Sequence, residues 1–324
     1  MNNFPRFVSR HLGKAIPAGV LLKRPAPVFL PFYHVVSNEK LPHILNYPYR
    51  NIEQFEKELE YFLTYFHPVS LEEILQGKKQ TKRVFHLSFD DGLKECAEVI
   101  APILKRKGIP ATFFVNTGFV DNLQLFHKYK TNLILNALKT NPNPKVNELL
   151  KRHDLAGKDI LNAEINQVAV LDEVAKILEL SFQEFLAKQE PYLTTQQILQ
   201  LHDDGFSIGA HSHDHPEFYK ISEEEQLGQV EKSMAWIVEK LQPKIKTFSF
   251  PFTDDKVPAT VLKRLFDENL CDITFGTAGV KFDESDFHFQ RYPVEQTGNF
   301  RTNLKGEFFY FELRKLIGKA TVKH

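Results

Sequence analysis

Short apolar runs alternate along most of the chain with stretches in which apolar residues recur every three or four positions. The first pattern predicts strands buried on both faces, the second amphipathic helices. Pro25 and Pro27 introduce the first strand-like run, Val28 to Val36. Residues Asn38 to Arg50 have no period, carry Pro42, Asn46 and Pro48, and read as a long loop. Ile52, Phe55, Leu59, Phe62 and Leu63 predict a helix from Asn51 to about Phe66, and Val69 to Leu75 a short strand leading into a helical turn. The run Val84 to Phe89 is a strand ending in Asp90-Asp91-Gly92. Ala97, Ile100, Ile103 and Leu104 mark the next helix, which stops at Lys107-Gly108 before a strand at Ala111 to Val115. Strand, helix, glycine-terminated turn and strand make a βαβ unit.

From about Asp121 to Pro191 the rhythm changes. Leucines at 133, 135 and 138, amphipathic runs at Val146–Arg152 and Val168–Leu180, and Phe182 to Lys188 predict a mostly helical insertion. The alternation then resumes with helix Thr194 to Leu201, strand Phe206 to Ala210, helix Ser222 to Leu241 and strand Lys246 to Phe250. Helix Val257 to Glu268 and strand Asp272 to Phe275 follow; a strand around Gln290 to Val294 and a helix Phe308 to Ile317 close the chain. This order predicts one α/β domain with a mostly parallel sheet, open or closed, with chemistry at the C-terminal ends of its strands.

Composition changes the picture mainly by exclusion. With 324 residues, 42% hydrophobic, the chain can bury a full core. Lys plus Arg and Asp plus Glu number 41 each, which lacks the basic footprint of a nucleic-acid binder. Two cysteines, Cys96 and Cys271, read as buried thiols rather than a disulfide framework. No apolar run is long enough for a transmembrane helix. The stretch Ala15 to Leu22 holds a proline and a glycine and runs into Lys23-Arg24, unlike a secretory signal. A cytoplasmic protein is therefore expected, with peripheral membrane association through the basic N-terminal arm (Arg6, Arg10, Lys14) left open.

Two segments carry candidate chemistry. In Asp90-Asp91-Gly92 both carboxylates can share one site if the strand ends there and the glycine turns the backbone; an ordinary Asx-type turn is the alternative. In His211-Ser212-His213-Asp214-His215, histidines at i and i+4 can bind one metal in a tight turn, or can be exposed groups of a polar loop. Taken together, Asp91, His211 and His215 offer two nitrogens and one oxygen to a divalent ion, zinc first, with a coordination position left for water. Asp90 would accept that water's proton.

At this point the chain resembles the polysaccharide deacetylases of NodB-homology type, carbohydrate esterase family four. Their Thr-Phe-Asp-Asp-Gly motif matches Ser88-Phe89-Asp90-Asp91-Gly92, and their His-Ser/Thr-x-x-His motif after an Ile-Gly pair matches Ile208 to His215. Phe32-Tyr33-His34-Val35 is similar to the family's N-terminal strand and Ala111 to Val115 to its second strand. The resemblance implies an irregular, about seven-stranded (β/α) barrel over residues 28–295, interrupted by the insertion at about 121–191. Residues 1–27 would form an N-terminal arm and 296–324 a C-terminal helix and tail. It also implies removal of an N-acetyl, or less commonly O-acetyl, group from a carbohydrate. Asp90 would be the general base and Asp91, His211 and His215 the ligands of one divalent metal (zinc, with cobalt, nickel or manganese as alternatives). Ser212, His213, Tyr33, His34, Pro251 and Phe252 would be substrate-facing or supporting residues.

The sequence departs from the family in two places. The third motif, Arg-x-Pro-Phe/Tyr-Gly, is matched by Ser249-Phe250-Pro251-Phe252-Thr253, so the arginine that would hold the general base is gone. The fifth motif, Leu-x-x-His, which would supply the general acid, has no match near the C-terminus. His288 is the late histidine nominated as acid and Arg291 the residue nominated to orient Asp90. A silent, glycan-binding relative and an amidohydrolase acting on a small non-sugar amide are the competing functions. The insertion could lid the site or form a homo-oligomer surface.

Overall fold

The computed structural model describes residues 4–77 and 83–324. Eight parallel strand segments form one sheet: β1 (Pro31–Tyr33), β2 (Leu87–Phe89), β3 (Ala111–Val115), β4 (Ser207–Ala210), β5 (Thr247–Ser249), β6 (Ile273–Gly276), β7 (His288–Gln290) and β8 (Tyr292–Pro293). Their spatial order is β7-β6-β5-β4-β3-β2-β1-β8, so from β1 to β7 every strand lies beside its predecessor. From β1 to β6 helical crossovers impose this, because parallel neighbours need a long connection that packs back on the sheet with one hand; β6 and β7 are joined without a helix. The helices are Ile52–Tyr65, Ala101–Lys107, Thr195–Asp203, Glu223–Leu241 and Ala259–Asp267.

β7 and β8 are consecutive halves of one extended segment, interrupted at Arg291. The first half pairs with β6 (His288↔Thr274, Gln290↔Gly276) and the second with β1 (Pro31↔Tyr292). The transfer is visible in the backbone: the Arg291 N–H donates to Gly276 O at 3.1 Å, and the Tyr292 N–H donates to Leu30 O at 2.8 Å. This break closes the sheet. Counted by passes of the chain the barrel has the seven strands that the resemblance implies; counted by segments it has eight.

The crossovers follow their sequence signals. Asn51 caps its helix by accepting from the Gln54 N–H while the Gln54 side chain accepts from the Asn51 N–H; Ser70, Thr194 and Ser222 form the same reciprocal caps. The expected strand from Val28 to Val36 shrinks to β1, with single bridges at Phe29 and Val36 on either side. The last helix starts at Phe300, capped by Asn299, well before the predicted Phe308. Its first half lacks an apolar period because it packs on the N-terminal helix Phe4–Gly13 through glycine: a Cβ on Gly306 would lie 2.7 Å from Arg10 Cα. The insertion contains helices His127–Thr140, Pro144–Arg152, Val168–Ile177 and Phe182–Gln189 around a core of its own that includes Ile134, Leu150, Leu171 and Val174. A second cluster, including Val35, Leu93, Phe126, Tyr129 and Tyr192, fuses it to the barrel mouth. Cys96 and Cys271 are buried free thiols. Among the described residues no helix is long and apolar enough to cross a membrane.

Gly209, two residues before His211, is a packing requirement. A Cβ there would lie 2.5 Å from Phe114 Cε1 and 2.7 Å from Thr247 Cγ2. Gly209→Ala is expected to overpack β4 and destabilise the fold by about 1–3 kcal/mol. Urea unfolding checks this; an unchanged midpoint would show that the neighbours give way freely.

Candidate active site

In a parallel barrel every strand delivers its following residue to the same rim. That rim collects Asp90 and Asp91 after β2, His211 after β4, Phe250 and Phe252 after β5, His34 after β1 and Glu295 just beyond β8. Asp90 still belongs to the ladder, its N–H donating to Tyr33 O at 2.9 Å. Asp91 (φ 71°) and Gly92 (φ 61°) then turn into left-handed conformations. This is how two adjacent carboxylates, which an extended strand would point to opposite faces, reach one site. Ser212 (φ 68°), His215 (φ 55°) and Phe252 (φ 57°) share that strained region. Each costs of order 1 kcal/mol, a concentration typical of functional sites.

Asp91, His211 and His215 converge. The Asp91 Oδ1 atom lies 3.2 Å from His215 Nε2 and 3.8 Å from His211 Nε2, and the two imidazole centroids are 4.8 Å apart at a steep angle. Nδ1 of His211 donates to the Ser249 carbonyl at 2.8 Å, which leaves Nε2 as the ligating nitrogen. Asp91 Oδ1 is buried and takes no hydrogen-bond donor. An orphaned carboxylate oxygen facing two imidazole nitrogens is the donor set of a three-ligand catalytic cation site, and these residues fit one divalent ion. Burial would raise the Asp91 pKa, but His215 and then His34 and His211 overcome it and hold the group below its ordinary range. Burial lowers His211 to about 4, keeping it neutral as a ligand must be.

Asp90 is held differently. The Arg291 guanidinium grips it two-pronged, Nη1 to Oδ1 and Nη2 to Oδ2, both at 2.7 Å. The same group donates to Ser88 Oγ at 2.9 Å and to Ser249 Oγ. Arg291 is wholly buried, its guanidinium carbon 4.3 Å from the Phe32 ring centroid and 5.3 Å from that of Phe114. Burial pushes Asp90 up; Arg291, together with His211 and His34, more than reverses this, leaving it below the usual carboxylate range.

The site opens into a cavity of about 450 Å3. On one side His34 Nδ1 meets Glu295 Oε2 at 2.6 Å, while the His34 and Val35 N–H groups donate to the same carboxylate. Burial would lower the His34 pKa, but Glu295, then Asp91 and Asp90, raise it to about 9. The His34 ring stacks on Tyr47 at 4.4 Å. On the other side the insertion contributes Phe126, Lys128 and Tyr129. The Tyr129 hydroxyl donates to Asp91 Oδ2 at 3.3 Å, and Phe126 lies 4.5 Å from the His215 ring.

Among the residues nominated from sequence, Asp90, Asp91, His211, His215, His34 and Phe252 line this cavity. Arg291 lies beneath it against Asp90. Ser212 supports the loop by accepting from the His215 N–H at 3.0 Å, and buried Pro251 makes the turn between Phe250 and Phe252. Three residues stand elsewhere. Tyr33, of opposite strand parity to Phe32 and His34, is buried with its hydroxyl on Glu58 at 2.9 Å. His213 turns away to Thr117 Oγ1 at 2.9 Å. His288 is a correction: it is buried outside the cavity, Nδ1 on Thr274 Oγ1 at 2.8 Å and Nε2 on Asp254 Oδ2 at 3.1 Å. Three residues before inward-facing Arg291, it has the opposite parity. Sequence reading missed Glu295, Tyr47, Phe126, Lys128 and Tyr129. Glu295 alone left a trace, as the residue beyond the final strand.

The family model described as Polysaccharide deacetylase matches residues 77–265. No curated protein matches the chain. Among solved structures the chain is similar to the Streptococcus pyogenes deacetylase PplD in complex with acetate (TM-score 0.57, 15% identity, 88% of this chain and 99% of that one). It is similar also to IcaB from Ammonifex degensii (TM-score 0.56, 15% identity, 88% and 98%). The de-N-acetylase from Aggregatibacter actinomycetemcomitans gives a TM-score of 0.55 at 14% identity, over 86% of this chain and 98% of that one. At such identities the likeness concerns the fold. The family match, which spans more than half of the sequence and contains both metal-site motifs, is what places the chain: it belongs to the polysaccharide deacetylase family.

Proposed function

We propose that the protein is a metal-dependent hydrolase that removes the N-acetyl group of an amino sugar presented as a short or terminal glycan unit. The observation that carries this reading is the juxtaposition, in one cavity, of the Asp91–His211–His215 donor set with Asp90 and the His34–Glu295 pair. A divalent ion, zinc by donor chemistry, would supply Lewis acidity toward the acetyl carbonyl and the attacking water. Asp90, oriented by Arg291, takes the proton of that water. His34, its Nδ1 committed to Glu295, presents Nε2 to the cavity and, charged at neutral pH, donates a proton to the departing amine. The aromatic walls of Tyr47, Phe126 and Phe252 suit the apolar faces of a sugar ring, and the insertion's wall favours a short unit over the middle of a long polymer. A cytoplasmic setting would favour a lipid-linked, nucleotide-linked or soluble sugar intermediate.

The silent-site alternative rested on a missing arginine and a missing acid. Arg291 and His34 are this chain's own groups for those two tasks, which supports turnover. The small-amide alternative shares the chemistry and differs in what the aromatic walls hold.

Metal analysis with acetate release separates these roles. Asp91→Ala and His215→Ala should lose one equivalent of divalent metal and all acetate release from N-acetylated amino sugars. Asp90→Asn should keep that equivalent and lose release about 100-fold or more. Full release from protein lacking the Asp91–His215 metal would overturn the mechanism.

Arg291→Ala would leave the buried Asp90 carboxylate without its ion pair, next to a second buried carboxylate, Asp91. A loss of about 3–5 kcal/mol is expected by urea unfolding, only partly recovered by Arg291→Lys, which keeps the charge without the two-pronged grip. A neutral effect would remove Arg291 from the account.

The His34 proton sets a pH limit. It is fully present well below about 9 and lost as pH rises through that value, so acetate release should fall on the alkaline side. Glu295→Gln removes the charge that raises His34, and the alkaline limb should move to lower pH. A limb that stays in place would assign it to another group.

A further inference from the structure

Outside the active site a second convergent donor set lies on the outer face of the closing strand. Asp254 follows β5, His288 stands on β7, and Asp283 and His324 come from the ribbon in which Phe282–Asp283 pairs with Thr321–Val322. One donor atom from each of the four lies within 4.8 Å of all the others. Asp254 and His288 are buried residues and Asp283 and His324 half-buried ones whose side chains turn inward, with side-chain exposures of 3%, 0%, 1% and 3% respectively.

Three of the four side chains are oriented from outside. His288 Nδ1 is held by Thr274 Oγ1 at 2.8 Å, Asp254 Oδ1 accepts from the Thr277 N–H at 2.9 Å, and Asp283 Oδ1 accepts from the Ser285 N–H at 3.0 Å. Their inner atoms then meet: His288 Nε2 faces Asp254 Oδ2 at 3.1 Å, and His324 Nε2 faces Asp283 Oδ2 at 3.1 Å. Metal bonds near 2.0–2.1 Å in a tetrahedron set neighbouring donors about 3.3 Å apart, between that closest approach and the outer limit of the cluster. With neutral imidazoles the group carries two buried negative charges, and its ion pairs among the described residues are internal ones with the two histidines. A dication would neutralise them. The Gln290 amide, which donates to both carboxylates, marks the hydrogen-bonded arrangement that would compete with an ion. A neighbouring cavity of about 410 Å3, whose lining includes Asp254, Arg6, Lys281 and Arg314, reaches one of the four residues.

We infer that Asp254, Asp283, His288 and His324 form a second, structural divalent-metal site, of zinc type, that fastens the C-terminal ribbon to the strand carrying Arg291. Four protein ligands leave no position for water, so the site is closed and takes no part in hydrolysis.

The test compares metal content after metal removal, reloading with zinc and desalting. The wild-type chain should hold two equivalents and His324→Gln one. The Asp91→Ala/His215→Ala double variant should also hold one, and adding His324→Gln to it should leave none. Cobalt(II) bound by that double variant should give the intense visible absorption of a tetrahedral site, abolished by His324→Gln. Zero equivalents and no such absorption in the double variant would overturn the inference. So would an equivalent that survives both His324→Gln and Asp283→Asn.

Discussion

The structure depends on one buried ion pair. Asp90 and Asp91 are adjacent carboxylates, both almost fully buried, at the end of a strand in the barrel wall. Two such charges side by side in a low-dielectric interior would ordinarily drive protons on or the strand apart. The two hydrogen bonds from Arg291 prevent this for Asp90, and the facing imidazoles do so for Asp91. Arg291 serves the fold as well. It sits where the closing segment passes from β6 to β1, so the contact that holds the general-base candidate also fixes the barrel seam.

Ser249 stands where the family's third-motif arginine would be, and its hydroxyl accepts from Arg291 Nη2. A small residue on β5 leaves room for a guanidinium entering from the opposite side of the seam. On the function proposed above, Arg291 takes on the task of that arginine from a different strand. For the second departure, the late His288 faces outward, and the acid proposed in its place is His34, which shares the cavity with Glu295 from near the end of the chain. Both Arg291 and Glu295 lie beyond residue 265 and His34 before residue 77, outside the span matched by the family model.

These particulars show what a sequence discloses. The alternation of buried strands and amphipathic helices is written in local periodicity, so β2, β3, β4 and their crossovers were legible, as was the helical character of the insertion. Asp91, His211 and His215 were legible because each follows a strand within a short motif. Arg291 was legible only as a nomination, since its contact with Asp90 spans 201 residues. Tyr47 and Tyr129 left no local pattern, because their roles arise from long-range packing at the rim. Parity explains the misplacements: Tyr33 and His288 lie on strands whose inward positions belong to their neighbours. The final helix was read short because glycine-mediated contact with the N-terminal helix leaves no apolar period.

The relocation of the arginine is the claim on which the rest turns, and moving it back tests it most directly. Acetate release from an N-acetylated amino sugar would be compared for wild type, Arg291→Ser and the exchange Ser249→Arg/Arg291→Ser. The account predicts that Arg291→Ser loses release and that the exchange restores a substantial part of it. Wild-type release from Arg291→Ser alone would contradict it.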